Sequence, residues 1–376
     1  MAFIFRKPSP RVVIHKLVLL TGCAVLILSA CGPSPATQGA PATLPPKPSD
    51  TPLLTSPTIS TSTSSPTETP SPTSTSIPSV ACFVTYYDPI AFLPGGKQLL
   101  VRADNGVQIF DLQSMQEKKF FQSPSPLNGP VVALSPDGEK LAWALEDGTV
   151  QVVRIADQSV LATFNTSQAM PLTLKLEFSP ASDQLFSVSH DGSVKSWDLE
   201  GNLLNALLPG FELVNIGLSP DGSLLATIPS DGPVRLWSVP DFDWVGDLGG
   251  TGGYDTSDVA FSPDGQYLAA DLVTSLFVWS IPDKMELRGT ITPTNSMAVA
   301  YSPDGSYLAY GDLNNVVLSS SDGLQIVKTL TGHQAPVFDL VFSPDSSLLV
   351  STDDREIRVW QVDNGQLLAI GKKACP

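Results

Sequence analysis

Few side chains in this chain of 376 residues could do chemistry. It has three histidines, His15, His190 and His333, and four cysteines, Cys23, Cys31, Cys82 and Cys375. No set of His, Cys and carboxylate residues has the spacing that holds zinc. His190 stands beside Asp191, as a general base stands beside its orienting carboxylate, but no nucleophile motif accompanies the pair. The run Gly249-Gly250-Thr251-Gly252-Gly253 lacks the Gly-Lys-Ser/Thr that cradles phosphate and reads as a surface loop. Asp241, Asp243 and Asp247 flank Trp244 without the spacing of a calcium loop. The residues therefore predict no catalytic group, no metal and no cofactor.

The charge points the same way. The chain carries 21 Lys and Arg against 37 Asp and Glu, a formal −16. Such a field repels phosphate backbones, so nucleic acid is not an expected partner. Any electrostatic partner would be basic.

Residues 6–16 are basic and Leu17 to Ala30 form a mostly apolar run, the pattern of a secretory signal and short for a spanning helix. The run ends in Leu28-Ser29-Ala30-Cys31, which resembles the lipobox of bacterial lipoproteins. That resemblance implies cleavage after residue 30, lipidation of Cys31 and attachment to a lipid bilayer. It places the protein in the cell envelope, outside the cytoplasm. From Pro33 to Ser79 there are 12 Pro, 11 Ser and 11 Thr in 47 residues. A segment so poor in apolar groups cannot offset the entropy of folding. Residues 31–79 are expected to be the lipidated cysteine and a disordered Pro/Ser/Thr-rich stalk, semi-stiff and on the order of 150 Å long when fully extended.

What remains, 80–376, repeats. Turn sequences start at Leu93, Ser135, Ser179, Ser219, Ser262, Ser302 and Ser343, most of them Ser-Pro-Asp-Gly. Their spacings are 40 to 44 residues. Proline presets φ, aspartate bonds the local backbone and glycine accepts positive φ, the chemistry of a hairpin. Six units also place an aspartate six residues before a strand-centre residue: Asp104 and Phe110, Asp147 and Val153, Asp191 and Trp197, Asp231 and Trp237, Asp312 and Leu318, Asp354 and Trp360. Two further strands per unit follow. Their apolar runs are too continuous for one-sided strands, which predicts sheets packed on both faces.

These units resemble the WD40 family of β-propellers, the last one most closely through Gly332-His333, Ser343-Pro344-Asp345, Asp354 and Val359-Trp360. TolB-like propellers also carry such turns, so the subfamily stays open. The resemblance implies an all-β fold, a seven-bladed propeller of four-stranded antiparallel blades. It implies a buried tetrad of His333, Ser351 or Thr352, Asp354 and Trp360. Cys82 and Cys375 fall at adjacent points of one virtual repeat, where the ends of the ring meet. After export they are the remaining pair, and a disulfide between them is expected.

In WD40-like propellers, partners use the face that carries the turns between strands two and three and the blade-to-blade loops. Carried over, that face would present Tyr86, Tyr87, Glu146, His190, Ser230, Tyr254 and Asp353. The expected function is a monomeric, non-catalytic interaction scaffold for a protein or peptide, which the acidic balance predicts to be basic. The alternative is an extracytoplasmic small-ligand sensor or enzyme using the central channel.

Overall fold

The computed structural model describes residues 90–372, apart from 104–105, 115, 124–130, 146, 167–172, 190, 250–256, 273–274, 282–285, 292–297 and 324. Seven sheets of four antiparallel strands each follow one another along the chain, at 90–122, 132–165, 173–207, 213–247, 257–291, 299–331 and 339–372. Each sheet keeps its strands in sequence order, so each blade is a meander built from one continuous stretch. First strands of neighbouring blades contact one another around the axis from blade 2 through blade 7, and those of blades 7 and 1 do so too. This is the predicted seven-bladed propeller.

The turns form as their residues require. In blade 2 the Ser135 hydroxyl donates to Asp137, whose Oδ1 also accepts the Glu139 N–H, while Gly138 N–H closes the turn on Ser135 O at 2.8 Å. The same serine-to-aspartate bond recurs at 219–221, 262–264, 302–304 and 343–345. Where glycine is missing, Ser182 and Ser346 take its place at φ +59°. The strain is offset across the blade boundary: Ser182 Oγ accepts the Asp137 N–H at 3.1 Å, and Ser346 Oγ accepts the Asp304 N–H at 3.0 Å.

The core is divided into seven apolar clusters, one per blade boundary. This is why the strands read as continuously apolar: each sheet is covered on both faces by its neighbours. The ring is closed by Phe92, Leu99, Val101 and Phe110 of blade 1 packed on Val350, Ile357, Val359 and Ala369 of blade 7. No strand is exchanged between the first and last blades, so this apolar seam carries the closure among the described residues. The fourth strands form the rim, where Leu203, Leu204, Trp244, Ile326 and Val327 are exposed.

Candidate functional site

The polar centre of blade 7 is a linear relay. Trp360 Nε1–H donates to Ser351 Oγ at 2.8 Å, and Ser351 Oγ lies 2.6 Å from His333 Nε2. His333 Nδ1 lies 2.9 Å from Asp353 Oδ2. With a neutral imidazole protonated at Nδ1, each proton in the chain is used once: indole to hydroxyl, hydroxyl to Nε2, Nδ1 to carboxylate. Asp353 Oδ1 accepts the N–H groups of Arg355 and Glu356 at 2.8 and 2.7 Å. Burial pushes the Asp353 carboxyl up, but the His333 bond and these two N–H donors outweigh it and hold it at about 2.

This corrects two expectations. The tetrad aspartate is Asp353, not Asp354, whose exposed side chain meets Arg355 at 3.6 Å. Asp353 in turn is no docking residue, since its side chain is 0% exposed. The cause is hairpin length. Twelve positions separate paired Leu185 and Trp197 in blade 3, but eleven separate Leu349 and Trp360 in blade 7. Counting six back from the tryptophan therefore stops at Asp354, in the tip of the shorter turn and one residue short of Asp353. In blade 6 the residue opposite Leu308 is Ser319 and not the expected Leu318.

His333, Asp353 and Glu356 bring ligand atoms within 4.8 Å of one another. Both ring nitrogens of His333 are already engaged, on Ser351 and Asp353, and Glu356 Oε1 accepts from Arg358 Nε. The cluster is a hydrogen-bonded clamp.

Partial clamps that the sequence reading missed occur elsewhere. Trp197 Nε1–H donates to Ser187 and Trp237 Nε1–H to Thr227, each at 2.9 Å. A hydroxyl nine or ten residues before a strand tryptophan was the available signal. In blade 5 the equivalent position is Ala270, two residues after Leu268, which pairs with Trp279. Trp279 Nε1 is buried there without a hydrogen-bond partner.

Charged groups on the innermost strands were also missed. Lys175 and Glu177 on Thr173–Phe178 and Asp258 on Ser257–Phe261 are part-exposed and alternate with buried Leu176, Phe178, Val259 and Phe261. That period of two turns the charges toward the axis. Of the expected docking face, Ser230 is half-buried and its N–H donates to Glu212 O at 2.9 Å. Tyr86, Tyr87, Glu146, His190 and Tyr254, like Cys31, Cys82, Cys375 and the whole of 1–79, lie outside the described residues.

Comparison with known proteins agrees with this geometry. Residues 159–198 and 324–361 match the family model described as WD domain, G-beta repeat. Each match runs from the fourth strand of one blade through the third strand of the next. The second contains all four tetrad residues, with His333 just after the outer strand of blade 6 and its partners in blade 7. The chain is 30% identical to WD repeat-containing protein SL1-17 of Schistosoma mansoni, over 48% of this chain and 62% of that protein. It is 28% identical to Protein groucho of Drosophila melanogaster, over 55% of this chain and 29% of that one. It is 29% identical to WD repeat and HMG-box DNA-binding protein 1 of Homo sapiens, over 42% of this chain and 15% of that one. The chain thus spans less than two thirds of each of these relatives, and the likeness is one of WD40 repeats in a β-propeller.

Proposed function

We propose that this protein is a non-catalytic interaction scaffold, a WD40 propeller carried outside the cytoplasm on a lipid-anchored stalk. The observation that carries the reading is the fate of His333. It is fully committed to a buried structural clamp and is not free to act as a base. The WD40 match supports docking of protein or peptide, since propellers of this kind offer loops on a rigid disc. The excess of acid over base favours a basic partner and a salt-sensitive association. Leu28-Ser29-Ala30-Cys31 supports the anchor, and Cys82 and Cys375 a disulfide at the ring closure. We take the propeller to act as a monomer.

The test is cross-linking of the tagged protein in intact cells, followed by mass spectrometry, beside a Glu146→Lys, Asp231→Lys variant. Asp231 is exposed, next to Ser230 in the turn before strand three of blade 4. Partners captured by the parent and lost from the variant support docking on this face. A folded, abundant protein that captures none refutes the scaffold. Radiolabelled fatty acid that fails to enter the protein, or enters a Cys31→Ser variant equally, refutes the anchor.

A further inference from the structure

The axis of the propeller is unevenly lined. Positions equivalent by register on successive innermost strands are Ala91, Ala133, Glu177, Gly217, Ala260, Ala300 and Val341. One carboxylate stands in a ring of small and apolar groups. The neighbouring ring holds Lys175, Asn215, Asp258 and Asp339. Among the described residues of the seven innermost strands, three carboxylates therefore face one cation.

Glu177 is only half used. Its Oε1 accepts the Leu218 N–H from the next blade at 3.1 Å. Its Oε2 is buried and has no hydrogen-bond partner. Asp258 is saturated by comparison: Oδ2 accepts the Val299 N–H at 3.2 Å, and Oδ1 accepts the Val259 N–H at 2.9 Å and Asn215 Nδ2 at 3.3 Å. Burial pushes both carboxyls up, Lys175 pulls both down, and Asp258 raises Glu177 further, so the three groups share one field. A buried acceptor without a donor is costly, and an excess of negative charge around it adds to that cost.

We propose that this lumen is a binding site for a small linear aliphatic amine, its ammonium group seated on Glu177 Oε2 in the field of Asp258. A divalent metal fits less well, because it needs several free oxygens and three of these four already accept N–H groups. A single ammonium needs one strong acceptor, and methylenes suit a wall of alanine and glycine. The site is independent of the docking face.

The test is isothermal titration of the purified full chain with putrescine and with spermidine at low salt, with circular dichroism to verify folding. The variants are Glu177→Gln, Lys175→Met and, as a surface control, the exposed Glu200→Gln. Glu177→Gln keeps an acceptor for Leu218 and should weaken binding about tenfold, the worth of one charge-assisted bond. Lys175→Met removes the resident cation and should tighten binding severalfold, so it carries the test even if Glu177→Gln does not fold. Three results would overturn the proposal: no binding of either amine at millimolar concentration, an equal loss in Glu200→Gln, or displacement of the amine by stoichiometric calcium. A parent protein that captures no docking partner but still binds the amine would sink the scaffold and leave this site standing.

Discussion

Changing Ala270 to serine should stabilise the propeller, although it puts a polar atom at a fully buried position. The reason is Trp279, 1% exposed, whose indole N–H has no acceptor. An orphaned buried donor costs about 1–3 kcal/mol. In blades 3, 4 and 7 the residue at the matching register is Ser187, Thr227 or Ser351, and each accepts the tryptophan N–H at 2.8–2.9 Å. A serine at 270 should therefore reach Trp279 without moving the strands. Desolvation of the new hydroxyl and its lost rotamer freedom together cost about 1 kcal/mol. The net expectation is about 1 kcal/mol of stabilisation, a rise of about 2 °C in the calorimetric midpoint for a domain this large. The reverse change, Ser187→Ala, orphans Trp197 and should lower stability by about 1–2 kcal/mol. If Ser187→Ala left the midpoint unmoved, the premise that these indoles need a partner would fail. If Ala270→Ser lowered the midpoint by several degrees, packing at the site would outweigh hydrogen bonding and the register argument would be wrong.

Acid stability offers a second prediction, through Asp353. Its folded carboxyl lies at about 2, against an ordinary 3.8. It therefore contributes about 2 kcal/mol above pH 4, and that contribution is lost as pH falls from about 4 through 2. Asp353→Asn should be destabilised by at least that amount at pH 7 and should differ less from the parent near pH 2, as read by urea unfolding at both values. Gly332 is constrained twice: φ is +139°, and a Cβ would stand 2.1 Å from Arg358 Nη1. Gly332→Ala should cost about 1–3 kcal/mol in the same unfolding assay, since Arg358 is held by Glu356 and cannot simply swing away. The cysteine pair predicts an intact mass two hydrogens lighter than the reduced chain. The difference should vanish in Cys82→Ser, and that variant's midpoint should fall by about 2–5 kcal/mol equivalent.

The repeat was legible because its turns are local chemistry. Ser135, Pro136, Asp137 and Gly138 satisfy one another within four residues, so their spacing alone counts the blades. The tetrad was legible in kind but not in register. The resemblance offered His333, Ser351 or Thr352, and Trp360, and the bonds run through His333, Ser351 and Trp360, whereas the choice between Asp353 and Asp354 depended on a hairpin one residue shorter than its counterpart in blade 3. Side chains alternate with a period of two, so a slip of one residue exchanges a buried carboxylate for an exposed one.

From sequence alone came the seven units, four strands to a unit, sheets covered on both faces, and the scarcity of catalytic side chains. Each depends on composition or on contacts within one repeat, which a linear reading can follow. Tertiary structure alone decided that Asp353 closes the clamp, that Trp279 lacks an acceptor, and that Glu177 and Asp258 share the axis with Lys175. Those groups lie on separate strands or blades, some more than eighty residues apart in the chain, about two repeat lengths. Only the packing of strand on strand and blade on blade brings them together.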